Sequence, residues 1–154
     1  MIRRAIEGDI PQICELLRQV NLVHFKGRPD IFKQGLKYSA SEVKELLSKE
    51  DTVILVWTDD TDTVKGYCFC IIQQALNSQL LTDIKTLYID DLCVDENCRG
   101  KHIGKDLYLY AVDLAKKLSC YNLTLNVWSC NPSALKFYEA MGLKPQKIFM
   151  EQIL

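Results

Sequence analysis

The sequence predicts a single mixed α/β domain over residues 1–154, a β-sheet carrying helices on its faces. Three observations lead there. Short β-branched runs such as TVILVWT (52–58) have strand character, whereas the stretch 103–118 repeats apolar residues at helical spacing. The two kinds of segment follow one another as β-α-α-β-β-β-α-β-α-β, without repeats, low-complexity tracts or a linker. A chain of 154 residues, 48% hydrophobic and 25% charged, is also long and apolar enough to bury one core.

Residues 1–6 alternate loosely and predict the first strand. Asp9, with Gln12 three residues on, predicts a helix start; Ile10, Ile13, Cys14, Leu17 and Val20 supply its apolar stripe. The helix is expected to fray near His24, because GRPD (27–30) favours a turn. Ser39 and Glu42 make a capping box for a second helix striped by Val43, Leu46 and Leu47. TVILVWT and VKGYCFCII (64–72) predict a hairpin around DDTDT. That acidic turn lacks the glycine and distal glutamate of a calcium loop and reads as a solvated turn. LNSQLLTD (76–83) predicts a loop, and KTLYIDDLCV (85–94) a strand. Ile103, Leu107, Tyr110, Ala111, Leu114 and Leu118 share one face of the following helix. LTLNVW (123–128) predicts a strand; Asn131-Pro132 opens the last helix in cap-then-proline order, and Gly142 closes it. The remaining LKPQKIFMEQIL (143–154) predicts one or two final strands.

A formal net charge of −1 argues against a mainly electrostatic grip on nucleic acid or anionic lipid. No stretch approaches the roughly 20 apolar residues of a membrane span, and the first residues lack a secretory apolar run. Seven cysteines, with no CxxC pair among them, predict reduced thiols and a cytoplasmic protein. The two histidines, His24 and His102, are far apart in sequence, and no metal site is expected.

The stretch RGKHIG (99–104) demands a reason, since a glycine inside a helix costs about 1 kcal/mol relative to alanine. Where a strand turns through glycines into a helix, the first N–H groups have no internal partners and carry part of the helix dipole's positive charge. Such a mouth suits phosphate, and Arg99, Lys101 and Lys105 add cationic charge; mere turn geometry is the competing reading. The P-loop is excluded, because Gly100 to Lys105 is one residue short and Asp106 follows instead of Ser or Thr. The dinucleotide fingerprint G-x-G-x-x-G is absent.

The turn Arg99-Gly100-Lys101-His102-Ile103-Gly104 resembles motif A, R/Q-x-x-G-x-G/A, of the GNAT family of N-acetyltransferases. His102 departs from it, standing where the family most often has glycine. The preceding strand Tyr88–Val94 and the downstream Asn131-Pro-Ser-Ala-Leu-Lys-Phe-Tyr-Glu-Ala-Met-Gly142, similar to motif B (N-x-x-A-x-x-x-Y-x-x-x-G), lie at family spacing. The resemblance implies a GNAT-like mixed, mostly antiparallel central sheet with helices on both faces. It further implies transfer of an acetyl group from acetyl-CoA to a primary amine by direct attack through a tetrahedral intermediate, with no metal.

By the same resemblance, residues 99–105 hold the pyrophosphate, where a Cβ on Gly104 would press against it. The backbone of Leu92, Cys93 and Val94 contacts pantetheine and the acetyl oxygen, with the Val94 N–H as oxyanion donor. Tyr138 protonates or orients the departing sulfur, and Asn131 caps its helix and touches the cofactor. Asp90 and Asp91 are the carboxylates available as base. Strand alternation turns at most one into the cleft, and Asp90 aligns with the base of some relatives; pairing with Arg or Lys is the alternative. Cys93 reads as a small core residue and not as a nucleophile.

The segment 23–32, with His24, Arg28, Asp30 and Phe32, would cover the acceptor in this fold. Asp30, Asp90 and Asp91 together suggest an acidic pocket and hence a small cationic amine or a peptide amine. The competing reading is a catalytically inactive coenzyme A-binding regulatory module. No nucleic-acid or membrane partner is expected, and a homodimer paired through the C-terminal strand is possible.

Overall fold

The computed structural model describes all of residues 1–154. Five strands form one sheet in sequence order: β1 (Ile2–Arg4), β2 (Thr52–Thr58), β3 (Val64–Gln74), β4 (Lys85–Val94) and β5 (Asn122–Leu125). The first four are antiparallel, and β5 joins β4 in parallel after crossing over through a helix. The helices are α1 (Ile10–Gly27), α2 (Ala40–Ser48), α3 (Ile103–Lys117) and α4 (Pro132–Ala140), with short 3-10 turns at 7–9 and 96–98. No helix is long and apolar enough to cross a membrane.

Two cores flank the sheet, as the alternation of its strands requires. On one side Ile13, Leu16 and Leu17 of α1 and Val43 of α2 cover Ile54, Val56, Tyr67 and Phe69. On the other, Ile103, Leu107, Tyr108 and Ala111 of α3 cover Leu55, Cys68, Cys70, Leu87 and Ile89, with Phe137 and Tyr138 of α4 against them.

Several sequence expectations are corrected in detail. Asp9 lies in the 3-10 turn and does not cap α1; its carboxylate accepts from the Ile6 N–H at 2.8 Å and pairs with Arg3 at 2.7 Å. Gln12 instead reaches across to the Val64 N–H. The capping box at Ser39 forms as expected, the Glu42 carboxylate accepting from the Ser39 N–H at 2.7 Å. On α3 the buried aromatic is Tyr108, because the stripe turns Tyr110 into solvent. Helix α1 runs on past His24 to Gly27, where the Arg28 N–H closes on the His24 carbonyl at 2.8 Å. Strand β5 stops at Leu125, so Trp128 leaves the sheet. The segment 143–154 forms no strand at all within the chain.

Candidate active site

The site begins with an irregularity in β4. Phe69 pairs with Asp91 and the next residue, Cys70, pairs with Ile89, so Asp90 is an extra, bulged residue. The bulge reverses the strand's phase: Leu87 and Ile89 face α3, whereas Cys93 faces α1. It also corrects the expectation that the two adjacent carboxylates point to opposite faces. Asp91 accepts from the Tyr67 hydroxyl at 3.0 Å and Asp90 from the Tyr38 hydroxyl at 2.6 Å. Tyr38 stacks on Phe69 and Tyr67 meets Phe69 edge-on, so both donors belong to the α1 side.

The two carboxylates differ in their surroundings. Lys37 donates to the Asp90 carboxylate at 2.9 Å and to the Asp90 carbonyl at 2.8 Å. Asp91 has no cation at ion-pair distance, and burial lifts its carboxyl from near 4 to about 6, against the opposing pull of Lys37 and the Tyr67 bond. Asp91 therefore sits where a carboxylate can accept a proton near neutral pH.

Beyond the bulge, β4 and β5 part. Their ladder runs only from Thr86↔Asn122 to Ile89↔Leu125, which leaves Leu92–Val94 unpaired on the β5 side. The Asp95 N–H donates to the Lys65 carbonyl at 2.9 Å, and antiparallel bonding pairs recur every second residue, so Cys93 also bonds toward β3. The same alternation aims the Leu92 and Val94 amides at the opening. Cys93, by contrast, gives its amide to the ladder. Its thiol is buried against the Leu16 carbonyl at 3.5 Å and lifted to about 12 by burial.

At the open end of β4 the chain enters α3 through Gly100 (φ +80°) and His102 (φ +63°). Both are left-handed, a conformation glycine adopts freely and histidine only with strain. The first helical bond is Asp106 N–H to His102 carbonyl, and no amide from Arg99 to Lys105 donates to another protein group. Arg99, Lys101 and Lys105 are exposed. Ile103 contributes only its amide, its side chain being core. A Cβ on Gly104 would meet Val94, Phe137 and Leu92 at 3.5–3.9 Å, ordinary contact distances. The fold itself thus has no need of glycine there. A row of free amides beside a glycine kept at a helical cost fits close approach by a phosphate.

Helix α4 closes the opening. The Asn131 side chain caps it, accepting from the Ala134 N–H at 3.2 Å. Tyr138 packs between Phe137 and Tyr108 with centroids 5.1 Å and 6.4 Å away. Its hydroxyl bonds to nothing in the protein, and since no buried polar side-chain atom lacks a partner, that hydroxyl opens onto accessible space. Burial raises the phenol above its ordinary value, with acidic neighbours including Cys68 and Asp91 adding to the effect.

On the α1 side, His24 stacks on Phe32 (5.1 Å) and Phe32 meets Trp128 edge-on (4.8 Å). Gly27 lies so close to Cys130 that a Cβ would fall 2.8 Å from its Cβ, so the end of α1 rests on the β5–α4 loop. Burial and Lys37 depress the His24 imidazole. Arg28 and Asp30 do not face the carboxylates as free charges: Arg28 pairs with Asp30 at 2.8 Å and with Glu151. The expected acidic pocket is thereby reduced to Asp91, since Asp30 and Asp90 are each matched by a cation and Asp91 has none at ion-pair distance.

The sequence reading missed Lys37, Tyr38, Tyr67 and Trp128. The bulge that recruits the first three follows from pairing partners and has no local signature, while Trp128 was assigned to a strand. The adjacent carboxylates were the one available signal.

Comparison with known proteins matches this arrangement. The model of the acetyltransferase (GNAT) family fits residues 17–143. The chain belongs to the GNAT family. Among solved structures, a mutant of the BH1408 protein from Bacillus halodurans is 30% identical, with a TM-score of 0.96 over 100% of this chain and 99% of that one. Glucosamine-6-phosphate N-acetyltransferase from Arabidopsis thaliana is 25% identical, with a TM-score of 0.72 over 99% and 97%. Among curated sequences, the Arabidopsis thaliana glucosamine 6-phosphate N-acetyltransferase is 32% identical over 68 residues, 44% of each chain. A probable enzyme of the same name from Drosophila melanogaster is 35% identical over 54 residues, 35% of this chain and 23% of that one. The chain thus spans less than half the length of the curated relatives it matches. The five-strand, mostly antiparallel sheet with its four helices matches a GNAT fold.

Proposed function

We propose that the protein is an acetyl-CoA-dependent N-acetyltransferase that acts on a primary amine, a small cationic amine or a peptide amine. The observation that carries the reading is the run of unpaired amides from Arg99 to Lys105 beside the parted strands. The bound thioester supplies an activated acetyl group. Arg99, Lys101 and Lys105 add charge to the amides that receive its diphosphate, and Asn131, by its resemblance to the family motif, touches the same coenzyme. Val94 presents its N–H where negative charge develops on the acetyl oxygen, a donor already oriented by the β3–β4 ladder.

Asp91 takes the proton from the incoming ammonium. A carboxylate near pKa 6 is still mostly ionised at neutrality and is a stronger base than an ordinary aspartate. Tyr67 orients it, and Lys37 with Tyr38 fixes Asp90 and the bulge. This assigns the base to Asp91 in preference to Asp90, whose carboxylate is engaged. Tyr138 offers its proton to, or orients, the leaving sulfur; its raised value keeps the phenol protonated for that role. His24, Phe32 and Trp128 form the wall over the acceptor. The free thiols and the absence of a long apolar helix suit a cytoplasmic setting.

The test is thiol release from acetyl-CoA against a panel of diamines, peptides, aminoglycosides and glucosamine 6-phosphate. Turnover of cationic or peptide amines supports the proposal. Turnover of neutral or anionic acceptors alone contradicts the acceptor class. Tight coenzyme binding without any turnover favours the inactive binding module.

A further inference from the structure

Three aromatic rings from three separate segments meet on the α1 side of the sheet. His24 comes from the last turn of α1, Phe32 from the loop that follows it, and Trp128 from the loop between β5 and α4. Phe32 and Trp128 pack against neither core. Trp128 keeps 42% of its surface exposed, and its indole N–H has no protein acceptor and opens onto accessible space. Rings that serve no core are available to a ligand.

Two contacts tie this wall to the acidic bulge. The Asn126 amide donates to the Tyr88 hydroxyl at 3.0 Å, which fixes the loop bearing Trp128 to β4 two residues before Asp90. On the other flank, Lys37 bonds the Asp90 carboxylate at 2.9 Å and lies near enough to His24 to join burial, the larger cause, in depressing its imidazole.

The charges leave room for one cation on the acceptor. Lys37 matches Asp90 and Arg28 matches Asp30, so Asp91 is the carboxylate without an ion-pair partner. Glu151 adds a second carboxylate to Arg28, but those two carboxylates are 53% and 50% exposed and screened by water and salt. At the wall itself Lys37 disfavours a charged imidazole. A second ammonium there would meet the same repulsion and lose its hydration as well. An uncharged ring instead gains burial and the edge-and-face attraction of aromatic pairs.

We propose that the acceptor is a primary amine whose short alkyl chain ends in an aromatic ring, its ammonium directed at Asp91 and its ring laid on Trp128 and Phe32. The acceptor's amine rests on the transfer reading above, whereas the ring site stands on the wall. Diamines, polyamines and aminoglycosides put a second cation where the ring belongs and are poor acceptors.

Two measurements on the full chain separate the ring site from the reaction. The first is thiol release from acetyl-CoA with 2-phenylethylamine, 2-cyclohexylethylamine, butylamine and putrescine. The kcat/KM for phenylethylamine should exceed that for butylamine and putrescine by about 10-fold or more, and that for the cyclohexyl analogue, equal in shape but without a π system, by about threefold. The preference over butylamine should collapse in Trp128→Ala and persist in Trp128→Phe. The second is calorimetric titration of phenylethylamine into the chain saturated with coenzyme A, where no acetyl group can move; Trp128→Ala should weaken binding about 10-fold. Putrescine turned over as well as phenylethylamine overturns the proposal and leaves the transfer reading standing. So does a phenylethylamine preference that Trp128→Ala leaves unchanged. No turnover of any amine, beside calorimetric binding that depends on Trp128, overturns the transfer reading and supports the aromatic site; neither turnover nor binding overturns both.

Discussion

The Tyr67 hydroxyl donates to the Asp91 carboxylate at 3.0 Å, on the sheet face opposite the one that carries Tyr138. The β4 bulge makes this pairing, because without it Asp91 would share the α3 face with Leu87 and Ile89. The groups proposed as proton acceptor and proton donor thus approach the parted strands from opposite sides of the sheet.

Asp91→Asn should uncouple activity from stability. The folded-state value near 6 lies above the ordinary value near 4, so folding favours the protonated form. That contribution is fully present below about pH 4 and is lost as pH rises through about 6. The asparagine variant should therefore be more stable than wild type by about 3 kcal/mol near pH 8, since the value rises from near 4 to about 6 and one pKa unit is worth about 1.4 kcal/mol. The difference should vanish near pH 4. Thermal melts across that range check the sign. In the same variant turnover should fall about 100-fold, a typical loss for a missing general base.

Lys37→Met should shift the acid limb of the kcat/KM profile to higher pH. Lys37 lowers the Asp91 value, so its removal lets that value rise. Lys37→Arg, which keeps the charge, should restore the wild-type limb. An unshifted limb in the methionine variant would mean that Asp91 is not the group that titrates.

Gly104→Ala should stabilise the chain and weaken coenzyme binding. The new Cβ meets only ordinary contacts at 3.5–3.9 Å, and alanine gains about 0.5–1 kcal/mol over glycine in a helix. A bound diphosphate would lose its close approach. Calorimetric binding beside a thermal melt reads both effects, and an unchanged affinity for coenzyme A would dissociate Gly104 from the site.

Tyr138→Phe should keep coenzyme affinity within about twofold and lower kcat about 10- to 100-fold, consistent with loss of a positioned proton donor. The hydroxyl makes no protein hydrogen bond, so stability should change by less than about 0.5 kcal/mol. Equilibrium binding and steady-state kinetics on the same preparation separate the two effects.

Elements governed by local pattern were legible in the sequence. The capping box at Ser39, the Asn131 cap and the glycine stop at Gly142 stand where their residue types place them. The order of strands followed from β-branched runs. What was hidden depends on partners distant in sequence. The bulge at Asp90 is a mismatch between β3 and β4, visible in neither strand alone. Tyr108 displaced Tyr110 from the buried stripe because the helix phase is set by packing on the sheet. The segment 143–154 has strand composition yet forms no strand, because composition does not supply a pairing partner.

Amide chemical shifts during titration with coenzyme A probe the mouth of α3 most directly. The largest perturbations should fall on Gly100–Lys105, with Leu92 and Val94 following, and Gly104→Glu should abolish them. Saturable binding that leaves those amides unmoved, or no binding at millimolar coenzyme, would contradict the assignment of the site.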